Sequence, residues 1–325
     1  MFINERNVWL DGIMGVATGD ALGLPVQFMR REELKKKPVT TMGMDYQFLT
    51  PAGTWSDDTS MTMAILGSML EKGSIDSVDI MNKFEAWLYD AEYCALDIAI
   101  DIGTTCETSI DRYHKSRDIK TCGKTGEHAN GNGSLMRTLP ICIYYANKVH
   151  DNESTVEEAI KVISSISALT HNHYRACIGC CLYFFCVKSI LFDKGDLKAK
   201  IQKGIYEGFS YYEKDMELLE EATYYSRTLD IEEFAKTDVS QIKSSGYVVD
   251  SFEAAIWSII TTDSLKECLL RAVNLGDDAD TVGAIAGGLA GLYYGYESIP
   301  QDWLNKLAKR DWLEEMCHKA YKKFK

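Results

Sequence analysis

The segment that most constrains the fold of this 325-residue chain lies near its C-terminus, where acidic residues are followed at once by glycine and alanine. Residues 274–295 read NLGDDADTVGAIAGGLAGLYYG. Three aspartates and a threonine open the segment, and nearly every later residue is glycine, alanine or aliphatic. A helix dipole favours carboxylates at its start, and small side chains suit close burial. The segment therefore predicts a carboxylate site at the N-terminus of a buried helix.

A second row of small residues lies near the N-terminus of the chain. Gly15, Gly19 and Gly23 are four residues apart, which places them on one face of a helix over residues 8–24. A glycine inside a helix costs about 1 kcal/mol relative to alanine, so a whole row indicates that another backbone comes very close. A glycine-rich turn is the alternative. The matching row in the C-terminal segment consists of Gly283, Gly287 and Gly291.

Residues 54–70 repeat the arrangement of acids before an apolar helix. Their Ser-Asp-Asp-Thr cluster precedes a periodic apolar segment, which predicts a helix with Ser56 or Asp57 as its N-cap. A cap needs only one such side chain, and here two helix starts carry two or more carboxylates each. Acids packed together without a cation have raised pKa values and cost stability. We therefore expect cations at these helix starts.

The ligand types narrow the choice of cation. Carboxylate and hydroxyl oxygens select Mg²⁺, Mn²⁺ or Ca²⁺, and the chain has no histidine or cysteine pattern typical of a zinc site. Asp278, Asp280 and Gly283 match the start of a calcium-binding loop, but Leu289 stands where that loop requires a glutamate. Six oxygen-bearing side chains at two helix starts instead suit two divalent ions about 3.5–4 Å apart.

Composition excludes some classes of protein. The net charge of −13 disfavours nucleic acid as a partner, and only 5 prolines among many helix-forming residues favour an all-α fold.

Charges near the N-terminus argue against a signal peptide. The longest apolar run, residues 176–187, is shorter than a membrane span and predicts a core helix. The 10 cysteines, including the Cys177–Cys180 pair, fit buried free thiols in a reducing cytoplasm.

Two further features could contact a ligand. Residues 129–140 read ANGNGSLMRTLP, a loop whose backbone N–H groups could hold phosphate oxygens, although ordinary turns use the same residues. His171 and His173 stand between two predicted helices. Their position suits either helix capping at the surface or contact with a ligand.

Five motifs occur in a fixed order along the chain. They are GVATGDALG at 15–23, WSDDT at 55–59, NGSLMR at 132–137, TH at 170–171 and DADTVGAIAG at 278–287. In this order they resemble the ADP-ribosylglycohydrolase family, over about residues 8–300. The resemblance implies a compact all-α fold, an orthogonal multi-helix bundle that forms a single domain over residues 1–325. It also implies a binuclear Mg²⁺ or Mn²⁺ centre and the release of ADP-ribose from acceptor side chains.

The resemblance also implies roles for individual residues. Metal ligands by motif position are Ser56, Asp57, Asp58, Asp278, Asp280 and Thr281. The metals would hold the distal ribose and a bridging water, and Asp57, Asp58 or Asp278 would accept the proton of that water. The substrate-binding residues would be Asn132, Gly133, Ser134 and Met136, which hold the diphosphate and distal ribose, together with His171 and Gln27.

Gln27 departs from the family pattern, because many relatives carry a glutamate at this position. A glutamine can form hydrogen bonds but cannot exchange a proton near neutral pH. A guanidine leaving group needs little acid assistance, so we expect ADP-ribosyl-arginine on proteins as the substrate. The alternatives are a serine, nucleobase or small-metabolite conjugate, or a homologue that binds ADP-ribose or serves a structural role without catalysis. We further expect a monomer with neither a nucleic acid nor a membrane as its partner.

Overall fold

The computed structural model describes residues 6–324, and helices dominate it. The first residues of the chain, on which the argument against a signal peptide partly rests, lie outside this range. The helices are α1 (Val8–Gly23), α2 (Arg31–Lys36), α3 (Asp57–Lys72), α4 (Ser77–Asp90), α5 (Thr104–Ser116), α6 (Leu139–His150), α7 (Val156–Ala168), α8 (Tyr174–Phe192), α9 (Leu197–Tyr212), α10 (Met216–Ala222), α11 (Ile231–Phe234), α12 (Val248–Ile260), α13 (Leu265–Val273), α14 (Ala279–Tyr294), α15 (Gln301–Leu304) and α16 (Arg310–Lys323). The all-α prediction is confirmed.

The strands among the described residues are two short ones. β1 (Lys124–Thr125) and β2 (His171–Asn172) pair in parallel, with Lys124 opposite His171. This small ladder joins the segment before the Asn-Gly loop to the turn between α7 and α8. It fixes the backbone of His171 beside that loop.

α1 and α14 contact each other through their backbones. A Cβ atom on Gly15 would lie 2.1 Å from the carbonyl oxygen of Gly287, and one on Gly19 would lie 2.0 Å from that of Gly283. One on Gly23 would lie 2.3 Å from the Cα atom of Asp280. The residue numbers rise along α1 as they fall along α14, so the two helices are antiparallel. The predicted pairing of the two glycine rows is confirmed.

The antiparallel pairing places the C-terminal end of α1 beside the start of α14. Asp20, in the last turn of α1, also reaches the start of α3. Its carboxylate accepts hydrogen bonds from the backbone N–H groups of Ser56 (2.9 Å) and Thr59 (3.0 Å) and from both of their hydroxyls. Ser56 occupies the N-cap position, but its own side chain makes no capping bond. The prediction of Ser56 as the N-cap residue is therefore confirmed, but the carboxylate of Asp20, from another helix, accepts the hydrogen bonds at the start of α3.

α8 lies within the hydrophobic core. It has 19 residues, and most of them are buried inside the fold. By length and composition alone this one helix among the described residues could cross a membrane, but such burial is typical of a core helix. All ten cysteines are free and buried, and Cys177 and Cys180 lie within α8. The predictions of a core helix and of free buried thiols are confirmed.

The glycine contact predicts a large effect from a small substitution. Gly19→Ala should destabilise the protein by at least about 1–3 kcal/mol, since its methyl group would overlap the backbone of Gly283 and force the helices apart. Chemical denaturation of the purified variant measures this change. Gly43→Ala is the matched control, because a Cβ there would meet no atom within 4 Å. Equal stability of the two variants would contradict the backbone contact.

Candidate active site

Three helices begin at one cavity of about 220 Å³. Asp57 opens α3, Thr104 opens α5, and Asp278 immediately precedes α14, and all three residues line the cavity. At each of these helix starts the N-cap residue makes no side-chain capping hydrogen bond. The partial positive charges of three helix N-termini therefore converge on this cavity. Such an arrangement favours bound anions and ionised carboxylates.

A cluster of acids lies at these helix starts. Asp20, Asp58 and Asp280 are fully buried, and each offers a carboxylate oxygen within 4.8 Å of the other two. The hydroxyl of Thr281 lies 3.4 Å from the Oδ2 atom of Asp58 and can donate to it. The hydroxyl of Ser56 lies 3.2 Å from the same atom, but its one proton is shared with Asp20, at 2.9 Å. The Oδ1 atom of Asp58 is buried without a hydrogen-bond partner. A buried carboxylate oxygen without a partner is costly, which fits a site that binds a cation.

Burial and mutual repulsion raise the pKa values of the acids. Burial is the larger cause for Asp57, Asp58 and Asp280, whose pKa values all lie well above the usual range, and neighbouring carboxylates add to it. Burial also raises the pKa of Asp20 to about 6, against hydrogen bonds that lower it. Among the described residues, no lysine, arginine or histidine forms an ion pair with any of these four carboxylates. No direct ion pair therefore offsets their mutual repulsion.

Asp20 is absent from the residues that the sequence predicts for the site, although it belongs to the first sequence motif. Both of its oxygens accept hydrogen bonds from the start of α3. Those bonds commit Asp20 to holding α3 in place, and they leave Asp58 and Asp280 freer to bind an ion. The signal that the sequence offers for Asp20 is an acid on the same helix as the first glycine row.

Asp101 is a second site residue that the sequence does not predict, and it contacts the residue that departs from the family pattern. With its amide nitrogen directed at these carboxylates, the orientation that satisfies both, Gln27 donates to the Oδ2 atoms of Asp101 (2.9 Å) and Asp280 (3.1 Å). Asp101 lines the cavity and has a left-handed backbone with φ of 54°. Burial raises the pKa of Asp101, and its hydrogen bonds with Asp280 and Gln27 oppose that rise. Nothing in the irregular segment between α4 and α5 marks Asp101 in the sequence.

The Asn-Gly loop forms another wall of the cavity. Its Asn132 donates through the side-chain amide to Asp278 (2.6 Å) and Ser251 (2.8 Å), and its backbone N–H donates to Gly246. Gly133 and Met136 also line the cavity. The side chain of Ser134 points away from it, because its hydroxyl accepts a hydrogen bond from Ser167 (2.8 Å) in the interior. The loop thus brings three of its four predicted substrate-binding residues to the cavity.

The two histidines have different environments. His171 is buried and lines the cavity, and burial followed by the charge of Arg137 lowers its pKa to about 3. His173 instead accepts a hydrogen bond from the backbone N–H of Arg175 (3.1 Å), at the start of α8. His173 therefore caps α8, whereas the position of His171 suits contact with a ligand.

The architecture and the acidic cavity agree with comparisons to known proteins. The profile of the ADP-ribosylglycohydrolase family matches residues 4–325. The chain belongs to the ADP-ribosylglycohydrolase family. A solved structure described as an ADP-ribosylglycohydrolase-related protein complex superimposes with a TM-score of 0.79 at 25% identity, covering 98% of each chain.

Two curated members of the ADP-ribosylglycohydrolase family are similar to the chain. The ADP-ribosylarginine hydrolase Tri1 of Serratia proteamaculans (strain 568) is 28% identical over 95% of this chain and 77% of its own length. The ADP-ribosyl-(dinitrogen reductase) glycohydrolase of Rhodospirillum rubrum is 31% identical over 92% of this chain and 89% of its own length. The resemblance that the motifs indicated is confirmed, and so is the class of ADP-ribosyl hydrolase. The roles of individual residues stay predictions.

A divalent cation should stabilise this ADP-ribosylglycohydrolase. At one hundred times its dissociation constant, an ion that binds only the folded state adds about 2.7 kcal/mol. We expect Mg²⁺ or Mn²⁺ to raise the melting temperature of the wild-type protein, and Asp58→Asn to remove most of that increase. Asp277→Asn is the matched control, because Asp277 adjoins the site but is exposed and outside the cluster. Equal responses of the two variants would contradict a cation site at Asp58.

In the presence of a chelator, the same variant should show the opposite effect. The folded-state pKa of Asp58 is raised well above the unfolded value of about 4, so the folded protein holds a proton that the unfolded chain releases. The contribution of Asp58 to the free energy of unfolding therefore falls as pH rises above about 4. Relative to wild type, metal-free Asp58→Asn should gain stability from about pH 4 to pH 7 in denaturant titrations. A constant difference across that range would contradict this electrostatic cost.

Proposed function

We propose that the protein is a metal-dependent hydrolase that releases ADP-ribose from mono-ADP-ribosylated arginine. The observation that carries the proposal is the set of buried carboxylates at the cavity without a basic partner. In a purely structural protein such a cluster would lower stability and bring no benefit. A catalytic site can use the same cluster, because ions held there supply chemistry that the side chains lack.

The donor set fits two Mg²⁺ or Mn²⁺ ions. Asp58 has a buried oxygen without a partner, and the nearby groups are the carboxylates and hydroxyls that these ions prefer. When bound, such ions lower the pKa of a coordinated water and stabilise negative charge on reacting oxygens. The residues that would hold them are Ser56, Asp57, Asp58, Asp278, Asp280 and Thr281.

Backbone N–H groups on two sides of the cavity suit a diphosphate. Gly103, Thr104 and Thr105 place the uncapped start of α5 at the cavity. Gly133 also lines the cavity, and no acceptor is found within residues 6–324 for its backbone N–H group or for that of the adjacent Ser134. Free N–H groups at a helix start and in a turn bind phosphate oxygens. Ser134 would thus contribute its backbone, because its hydroxyl is occupied elsewhere.

Proton transfer requires carboxylates that face the cavity. Asp57 and Asp278 line it directly, whereas Asp58 lies behind them and does not. Asp57 and Asp278 are therefore the stronger choices for accepting the proton of the attacking water. Asp101 lines the cavity as well, and its contact with Gln27 makes it a further proton acceptor to consider.

Gln27 supports arginine as the acceptor. Its amide holds the carboxylates of Asp101 and Asp280 and has no proton to give near neutral pH. A guanidine group can leave without help from an acid, whereas a serine alkoxide cannot. Of the two relatives described above, one is named for ADP-ribosylarginine and the other for an ADP-ribosylated dinitrogen reductase. A serine, nucleobase or metabolite conjugate is the second candidate.

Loss of a carboxylate at the metal site should abolish most of the activity. We expect Asp278→Asn and Asp280→Asn each to lower kcat/KM for ADP-ribosyl-arginine by about 100-fold or more, because removing even supporting groups of a metal site costs about 10- to 100-fold. Release of free ADP-ribose from ADP-ribosylated protein, with and without Mg²⁺, is the measurement. Asp277→Asn is again the control and should stay near wild type. Wild-type protein that releases no ADP-ribose from any conjugate would refute the proposal.

The role of Gln27 can be tested by restoring the carboxyl group. Gln27→Glu should raise hydrolysis of ADP-ribosyl-serine relative to ADP-ribosyl-arginine, since the alkoxide leaving group gains most from a proton donor. The ratio of kcat/KM for the two substrates is the readout, and it is insensitive to the fraction of active enzyme. An unchanged ratio would remove the leaving-group argument for arginine.

A further inference from the structure

Arg137 is a buried cation that donates its hydrogen bonds to neutral groups. Its side chain is 1% exposed and lies over the ring of Phe84, with the guanidinium carbon 4.7 Å from the ring centroid. One terminal nitrogen donates to the carbonyl oxygen of Gly133 (2.7 Å), and the other donates to the hydroxyl of Thr170 (2.7 Å). Arg137 therefore ties the Asn-Gly loop to the residue that precedes His171.

The bond from Arg137 constrains the hydroxyl proton of Thr170. A guanidinium only donates, so the Thr170 oxygen must accept that bond, and its own proton is free to point elsewhere. The Nδ1 atom of His171 lies 2.8 Å from the same oxygen. The thiol of Cys106 is the competing acceptor, but sulfur accepts hydrogen bonds weakly. A hydroxyl that accepts a charged hydrogen bond is also a better donor.

The opposite edge of the His171 ring faces the ligand cavity. A Cβ on Gly131 would lie 3.2 Å from Nε2, and one on Gly133 would lie 2.9 Å from Cε1. Across residues 6–324 no hydrogen-bond partner for Nε2 is found. Burial and the charge of Arg137 also disfavour the doubly protonated ring, because they lower the pKa of His171. A neutral ring whose Nδ1 accepts a hydrogen bond from the Thr170 hydroxyl must carry its own hydrogen on Nε2.

We propose that Arg137 and Thr170 are positioning residues that hold His171 in the Nε2–H tautomer, as a hydrogen-bond donor directed at an oxygen of the bound ligand. The Nε2–H group of His171 then donates a hydrogen bond into the cavity. His171 cannot accept a proton from the substrate or water there, because Nε2 already carries hydrogen. Phosphate and ribose oxygens are the partners that such a donor suits. The donor role rests on the proposed function, whereas the tautomer is a property of the protein alone.

The tautomer can be read directly by NMR. In long-range ¹⁵N–¹H spectra of histidine rings, a nitrogen that bears hydrogen and a bare nitrogen resonate far apart. The chain has 6 histidines, and the signals lost in His171→Gln identify those of His171. At neutral pH the wild-type protein should show hydrogen on Nε2 and a bare Nδ1. Hydrogen on Nδ1, or a doubly protonated ring, would overturn the proposal, and the wild-type spectrum alone decides between these outcomes.

Substitution of Thr170 tests its part in this arrangement. Thr170→Val removes the hydroxyl and should move both ring nitrogens of His171 towards intermediate shifts, as the two tautomers mix. Thr170→Ser keeps the hydroxyl and should restore the wild-type pattern. Thr62→Val is the matched control, because Thr62 is buried and its hydroxyl has no hydrogen-bond partner. An unchanged His171 pattern in folded Thr170→Val would show that the hydroxyl does not set the tautomer.

The ligand contact needs a separate measurement with ADP-ribose itself. Saturating ADP-ribose should shift the Nε2 proton of wild-type His171 downfield, and Thr170→Val should weaken ADP-ribose binding by about three- to tenfold, the effect of one hydrogen bond. Thr170→Ser should recover that affinity. Absence of ADP-ribose binding in the wild type would count against the proposed function and leave the tautomer result standing. Binding without a change at Nε2 would refute the donor role alone.

Discussion

The direct contact between the backbones of α1 and α14 supports the rest of the active site. Gly15, Gly19 and Gly23 allow this approach, and the antiparallel direction then brings Asp20 and Asp280 to the same end of the helix pair. Asp20 in turn accepts hydrogen bonds from the N–H groups at the start of α3 and so fixes the position of Asp58. Two contacts therefore bring three carboxylates together from helices that are distant in sequence. The first is the backbone packing of α1 against α14, and the second is the hydrogen bonding of Asp20 to the start of α3.

The assembled site is electrostatically unfavourable, and helix geometry offsets only part of the repulsion. Three helix starts direct their partial positive charges at the cavity, which favours ionised carboxylates and phosphate oxygens. Burial and the neighbouring carboxylates act in the opposite direction and raise the pKa values of Asp57, Asp58 and Asp280. The buried Arg137 carries a full positive charge but directs its hydrogen bonds to Gly133 and Thr170. A cation bound at the site would therefore stabilise the ionised carboxylates in place of their protons.

The features that the sequence predicts correctly are local or periodic. Helix content, the glycine rows and the acidic helix starts follow from spacing and residue type, and they are confirmed in the fold. Asp20 and Asp101 could not be predicted in the same way, because Asp20 binds the start of a different helix and Asp101 reaches Gln27 from an irregular segment. The same limit applies to Ser134, whose place in a loop motif suggested ligand contact but whose hydroxyl meets Ser167. Which way a side chain points depends on tertiary packing, and a single sequence records no such packing.

The glycine rows also have a dynamic consequence. Most helix interfaces are filled by side chains that change rotamer on fast timescales, and such interfaces lose rotamer entropy when they form. Glycine has no rotamers, so the contact between α1 and α14 neither loses that entropy nor loosens by side-chain motion. The position of Asp280 relative to Asp20, which holds the start of α3, is thus set by direct packing of two backbones. An ion held between such helices would meet ligands whose spacing is already fixed before it arrives.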